Sequence, residues 1–138
     1  MANSAPPALA QPELQMKGIK MIGKVILREL SDVAERKHHL ECDGLTRVVS
    51  HILSSRGVLH RTMVGSLYHA SCKRVVEPHF WIEIDDCILD YRARMWLGST
   101  GTVPHGLFDP EDYEVAYQGD EVDMAISDSL FSILMSVV

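Results

Sequence analysis

Three residues of this chain have the types and the order of a cysteine-nucleophile site. Cys42 stands just before an amphipathic segment, His79 opens a strongly alternating segment, and Asp90 lies in the segment that follows. In such a site a thiolate attacks an acyl carbon, an imidazole transfers the proton, and a carboxylate fixes the imidazole tautomer and stabilises its charged form. The chain therefore predicts acyl-transfer chemistry if its fold brings the three side chains together.

A helix is predicted from about residue 43 to residue 56, because its apolar residues recur at helical spacing and Gly57 follows as a C-terminal stop. Cys42 then lies at or near the helix N-terminus. The unpaired backbone N–H groups and the helix dipole favour a thiolate there. The same N–H groups can receive an oxyanion that develops on a substrate carbonyl.

A hairpin is predicted to carry the histidine and the aspartate. Alternation from Pro78 to Asp85 gives a strand with one core face and one polar face, and the polar face includes His79. If Asp85 and Asp86 form a two-residue turn, Ile84 pairs with Cys87, Ile82 with Leu89 and Trp81 with Asp90. Asp90 then shares the face of His79, about 7 Å away between Cα atoms. Glu83 and Asp85 are alternative partners for His79; Asp90 is preferred because Glu83 lies on the histidine's own strand.

The other segments supply one helix before the site and further elements after it. We expect an amphipathic helix over 18–37 whose apolar stripe includes Val25, strands over 58–68 and 113–118, a polar connection over 71–77, and a helix from Asp120 to the end. The last nine residues are apolar nearly all round. They are predicted to pack into the core or, alternatively, to form a surface for a protein partner.

Bulk composition narrows the class of protein. The chain has 138 residues and a formal net charge of −6, which fits one domain over 17–138 and disfavours a nucleic-acid partner. Residues 1–16 are rich in proline and alanine and are expected to be a flexible leader. Three cysteines without short spacings favour reduced thiols and a cytoplasmic location. No apolar run of 18 residues or signal peptide is present, so no membrane association is predicted.

Several histidines and cysteines lie outside these patterns. His38 and His39 stand close to Cys42 and Asp43 and suggest a metal, but no second ligand cluster accompanies them. We therefore predict no metal and no cofactor. His60, His69 and Cys72 are assigned no role, with the histidines expected at the surface or at a sheet edge.

The motifs together resemble the transglutaminase-like branch of the papain-like superfamily. The likeness covers about residues 40–97 and is carried by Cys42-Asp-Gly-Leu-Thr at a helix start, Pro78-His-Phe-Trp-Ile-Glu-Ile-Asp-Asp, and Ile88-Leu-Asp-Tyr-Arg. It implies an α+β fold in which N-terminal helices, one bearing the cysteine, pack on a small antiparallel β-sheet, with a C-terminal helix. It also implies Cys42 as nucleophile, His79 as base and Asp90 as the residue that orients the base.

This resemblance implies an enzyme that acts on a protein or peptide substrate. Hydrolysis of a peptide, amide or isopeptide bond comes first, followed by deamidation or transglutamination; arylamine acetyl transfer shares the triad but lacks a cofactor-pocket signature here. Trp81 and Arg92 are predicted to contact the substrate, and the alternative for Arg92 is pairing with Glu83 or Asp85. The alternative function is a non-catalytic binding module that uses the C-terminal helix.

Overall fold

A computed structural model describes residues 22–137, which form four helices and a five-stranded antiparallel sheet. The predicted α+β class is confirmed, and the predicted leader over 1–16 lies outside the described residues. The helices are α1 (Lys24–Arg36), α2 (Cys42–Ser55), α3 (Ala93–Leu97) and α4 (Asp128–Ser136). The strands are β1 (Arg61–His69), β2 (Arg74–Ile84), β3 (Cys87–Asp90), β4 (Gly106–Phe108) and β5 (Val115–Glu121), and a 3₁₀ turn spans Pro110–Asp112.

The sheet has the strand order β4-β3-β2-β1-β5, so the last strand returns to pair with the first. The predicted β2–β3 register is confirmed, since Ile84 pairs with Cys87 and Ile82 with Leu89 across a two-residue turn. Asp85 occupies the left-handed region of this turn, with φ of 56°. Because side chains alternate along each strand, this register puts Asp90 on the same face of the sheet as His79.

Helices α1 and α2 cover the opposite face of the sheet and form the main core with it. Helical spacing puts the buried residues of α2 on the side that meets the strands. The cluster contains Leu30, Val33, Leu45, Val48, Val49, Ile52, Leu53, Ile82, Ile84 and Leu89. Val25, predicted to lie in the apolar stripe, is instead 79% exposed. The helix starts at Lys24 after Gly23, and at 100° per residue Val25 then lies far from the stripe around Leu30.

The part of the other face that carries His79 and Trp81 is also buried, so the predicted polar face is wrong at these two positions. A second core cluster of Met63, Trp81, Ile88 and Phe108 lies there, with Tyr113 and Tyr117 packed against it. Phe108 and Tyr113 come from the chain that follows β3, and Tyr117 comes from β5. The polar side chains on this face are covered because chain distant in sequence folds over them.

Two element boundaries differ from the prediction. Strand β2 begins at Arg74, within the predicted polar connection, because residues 74–76 continue the pairing with β1. The helix predicted from Asp120 begins at Asp128, since β5 runs on to Glu121 and the Ser127 side chain caps the helix by accepting from the Leu130 N–H.

Helix α4 packs only one side onto the main core. Phe131, Leu134 and Met135 contact the core, whereas Leu130 and Ile133 are exposed. The core packing predicted for this segment is thus found on one side of the helix. None of the helices described between residues 22 and 137 has the length and apolar character needed to cross a membrane.

The β1–β5 pairing depends on two facing glycines, Gly65 and Gly119. A Cβ on Gly65 would lie 2.0 Å from the Gln118 carbonyl oxygen and 2.5 Å from the Gly119 Cα. We expect Gly65→Ala to lower the free energy of unfolding by about 2 kcal/mol or more, because backbone must move to admit the methyl group. Urea unfolding measures the loss. Gly101→Ala, at a site with nothing within 4 Å, is the control and is expected to change stability by less than about 0.5 kcal/mol; equal losses in the two variants would contradict the assignment.

Candidate active site

His79 and Asp90 form a buried pair between two neighbouring strands. The His79 Nε2 lies 2.7 Å from Asp90 Oδ2, and both side chains are almost completely inaccessible to solvent. The β1–β2 pairing shifts register beside this point, between the pair Gly65–His79 and the pair Leu67–Val76. Such irregularities re-aim side chains next to functional sites. The predicted partnership of His79 with Asp90 is therefore present as a hydrogen bond.

Asp90 accepts three further hydrogen bonds. The Tyr117 hydroxyl donates to Oδ2 at 2.8 Å, and the backbone N–H groups of Arg92 and Ala93 donate to Oδ1 at 2.9 and 3.1 Å. Four donors on one carboxyl group suit the ionised form, which is an acceptor only. Burial and the Asp90 charge raise the pKa of Tyr117, so its hydroxyl stays a donor. Tyr117 was missed from the sequence, since nothing in its strand indicates a partner on β3.

The pair determines the charge on the imidazole. Burial lowers the pKa of His79, but the hydrogen bond to Asp90 and the interactions with Cys42 outweigh it and raise the pKa to about 9. The ring is therefore an imidazolium at neutral pH. Its Nδ1 is buried and has no hydrogen-bond partner of regular geometry among the described residues. Because Nε2 is bonded to Asp90, Nδ1 is the nitrogen left for Cys42.

Cys42 is the first residue of α2, as predicted to within one residue. Glu41 is the N-cap and its side chain makes no capping hydrogen bond. The first helical bond runs from the Leu45 N–H to the Glu41 carbonyl, so the N–H groups of residues 42–44 precede the helical ladder. Such N–H groups favour an anion at the start of a helix, and Cys42 is the first residue of this one. Cys42 itself is 7% exposed.

An open cleft of about 460 Å³ reaches Cys42 from the surface. Phe80 and Trp96 line it together with the start of β2. Neither aromatic residue was singled out from the sequence, and alternation puts Phe80 on the strand face opposite to His79. Cys42 thus lies at the wall of an open cleft, whereas the side chains of His79 and Asp90 are almost completely buried.

Arg92, predicted to contact substrate, has a different role. Its guanidinium donates to the backbone carbonyls of Ala34, Lys37 and Leu40 at 3.0, 2.9 and 2.6 Å, and to that of Tyr91 at 3.2 Å. The first two carbonyls lie at the end of α1, where helices leave such groups without partners. The alternative pairing with Glu83 is not found either, since Glu83 forms its ion pair with Arg61. Arg92 therefore anchors the chain two residues before Cys42.

Trp81, the second predicted substrate contact, is a core residue. It is 1% exposed and packs with Met63 and Ile88. Its indole N–H donates to Glu83 Oε2 at 3.3 Å, and its ring lies nearly parallel to that of His79, with 6.1 Å between centroids. The predicted substrate contact is therefore replaced by a packing role, and the side chain limits the position of the imidazole.

A second cysteine–histidine pair lies at the β1–β2 turn. The Cys72 Sγ is 3.0 Å from His69 Nδ1, and His69 Nε2 is 3.0 Å from the Thr102 carbonyl oxygen. His69 is buried, contrary to its expected position at the surface or at a sheet edge. Its contact with the Thr102 carbonyl oxygen joins the chain at Thr102 to the β1–β2 turn. Cys72 is exposed. The labelling rate of Cys72 is therefore the reference against which the labelling rate of Cys42 must be compared.

No metal centre accompanies these groups in the part of the chain that the structure describes. Among residues 22–137, no group of three or more histidine, cysteine or acidic side chains is arranged to hold an ion. His38 and His39 are exposed and contact each other edge to face.

Comparisons with family models, curated proteins and solved structures give no match to this chain.

The charge on His79 can be tested through its partner. We expect Asp90→Asn to lower the pKa of His79 from about 9, because the lowering effect of burial is then opposed by Cys42 alone. An NMR titration of the ring measures this value. Asp86→Asn, in the exposed turn, is the matched control and is expected to leave it near 9. A His79 pKa that stays near 9 in Asp90→Asn would contradict the assigned pair.

Proposed function

We propose that this protein is a cysteine-nucleophile acyl-transfer enzyme that hydrolyses a peptide, amide or isopeptide bond in a protein or peptide substrate. The observation that carries the proposal is the buried His79–Asp90 pair, whose imidazole also interacts with Cys42 at the start of α2. The resemblance of these motifs to transglutaminase-like enzymes of the papain-like superfamily supports the same roles. Reduced thiols at Cys42 and Cys72 suit a cytoplasmic site of action.

In the acylation step, the Cys42 thiolate attacks the carbonyl carbon and forms the C–S bond. The carbonyl electron pair moves to oxygen, and the N–H groups at the start of α2 receive the oxyanion. His79 Nδ1 donates its proton to the leaving nitrogen as the C–N bond breaks, and the amine departs. Asp90 keeps the ring in the orientation that aims Nδ1 at the reacting atoms.

Deacylation reverses these roles with water. Neutral His79 takes a proton from the attacking water, the C–O bond forms, and the C–S bond breaks to return the thiolate. Ammonia as the leaving group makes the same steps a deamidation, and an amine in place of water makes them a transamidation. The contact between Cys42 and His79 falls short of a regular hydrogen bond, and such contacts tighten when substrate binds.

A binding module is the second candidate, and helix α4 is the observation that favours it. Leu130, Ile133 and Val137 are exposed apolar side chains at this helix and its end, and they could contact a protein partner without any chemistry at Cys42. The reactivity of Cys42 separates the two candidates, since a binding module has no need of an activated thiolate.

The first test is selective labelling of thiols. At pH 7 we expect iodoacetamide to modify Cys42 about tenfold faster than an ordinary thiol, because an ordinary thiol is only a few per cent thiolate at that pH. Peptide mapping by mass spectrometry gives the rates at all three cysteines. An acyl electrophile is expected to label the wild type and Cys72→Ser but not Cys42→Ala.

His79→Gln is the control that connects reactivity to the pair, and it is expected to slow labelling at Cys42 while Cys72 is unaffected. If Cys42 reacts no faster than exposed Cys72, the thiolate is not activated and the binding module becomes the better proposal.

The second test uses the raised pKa of His79. The imidazolium that must protonate a leaving amine is present below about pH 9 and is lost above it. We expect kcat/KM for a peptide anilide to fall as the pH rises through about 9. A nitrophenyl ester of the same acyl group is the control, because its leaving group needs no proton and its kcat/KM is expected to show no such fall. Parallel profiles for the two substrates would exclude His79 as the proton donor.

A further inference from the structure

The cleft beside Cys42 carries an excess of negative charge. Glu41, Asp43 and Glu77 line it and bring three carboxylates, against a single cation at Arg74. All four side chains are exposed. Among residues 22–137, none of these three acids forms an ion pair with a basic side chain. Two of the acids flank Cys42 in sequence and the third lies two residues before His79, so the charge is concentrated where a substrate must enter.

The same cleft has an apolar wall. Trp96 is 39% exposed and Val75 is 58% exposed, and Phe80 lines the cleft between solvent and the core. An exposed aromatic and aliphatic wall next to carboxylates suits a side chain with an apolar stem and a cationic end. The stem of lysine or arginine packs on such surfaces while the charged group stays near water and acids.

We propose that this cleft selects acyl donors whose peptide carries a lysine or arginine at the reactive acyl group. The inference rests on the proposed function, because it assigns the cleft as the approach to a nucleophilic Cys42. The carboxylates attract the cationic end, and Trp96 contacts the stem or the cation itself. An acidic peptide meets net repulsion in the same cleft, so selectivity arises from both signs of the interaction.

The test uses three peptidyl acyloxymethyl ketones that differ only in the side chain next to the reactive ketone, which is lysine, norleucine or glutamate. The Cys42 sulfur forms a C–S bond to the methylene carbon and displaces the carboxylate leaving group. The second-order rate of labelling is measured in the Cys72→Ser background. We expect the lysine probe to react about tenfold faster than the glutamate probe, since each exposed charge pair contributes about two- to fivefold.

Variants with matched changes in charge identify the source of the selectivity. Glu41→Gln, Asp43→Asn and Glu77→Gln combined are expected to reduce the lysine-to-glutamate ratio to about two or less. Glu35→Gln, Asp86→Asn and Glu121→Gln combined change the net charge equally at exposed positions that do not line the cleft. This control is expected to keep the ratio near its original value. Arg74→Gln removes the opposing charge and is expected to increase the ratio.

The outcomes separate the two proposals. If all three probes label Cys42 equally, or if the distant triple variant reduces the ratio as much as the cleft variant, the assigned selectivity is wrong while the acyl-transfer function stands. If none of the probes, and no simple acyl electrophile, labels Cys42, the proposed function fails and the selectivity fails with it. A ratio that falls between 0.05 and 0.5 M salt by about threefold or more supports charge as its source.

Discussion

The arrangement of this protein depends on one buried carboxylate, that of Asp90. An ionised group removed from water costs several kcal/mol unless charge and hydrogen bonds replace its hydration. Asp90 obtains that replacement from His79 on β2, Tyr117 on β5 and two backbone N–H groups at the start of α3. Each of these elements must be in place before the carboxylate is satisfied. The same contacts therefore hold the second face of the sheet closed and give the imidazole its position and charge.

Arg92, two residues after Asp90, carries a second buried charge. It positions the chain that leads to Cys42. The Arg92 guanidinium donates four hydrogen bonds to backbone carbonyls, two of them at the end of α1 and one at Leu40. The chain from Leu40 leads directly into Cys42. Residues 90–92 thus position His79 through the Asp90 carboxylate, and the chain before Cys42 through the Arg92 guanidinium. Burial lowers the pKa of Arg92 while the nearby Asp90 charge opposes that effect, so each buried charge also makes the other less costly to bury.

Local sequence patterns were sufficient to predict the elements that carry the proposed triad. They failed where residues distant in sequence determine the burial and the partners of a side chain. Alternation and the Asp85–Asp86 turn predicted the β2–β3 register, and with it the shared face of His79 and Asp90. The start of α2 also followed from local spacing, to within one residue. Burial of Trp81 did not, because the side chains that cover it come from β4 and β5. Tyr117 is 27 positions from its partner Asp90, and no periodicity reports such a contact. The prediction for Arg92 was wrong for the same reason, since three of its acceptors lie more than 50 positions away, at the end of α1 and at Leu40.

The hydrogen bonding of His79 favours a role in proton transfer over a role in packing, whereas its burial alone does not distinguish the two. A histidine that only fills a core is expected to have both ring nitrogens paired, since a buried polar atom without a partner costs about 1–3 kcal/mol. His79 has one nitrogen bound to Asp90 and leaves the other without a regular partner among residues 22–137. Besides Asp90, the side chain that raises the pKa of this ring is Cys42, which also lines the open cleft. An imidazolium bound to a carboxylate on one side and incompletely paired on the other is a costly arrangement for packing. The proposed proton transfer, from His79 to an amine that leaves the acyl carbon bound to that sulfur, requires the same arrangement.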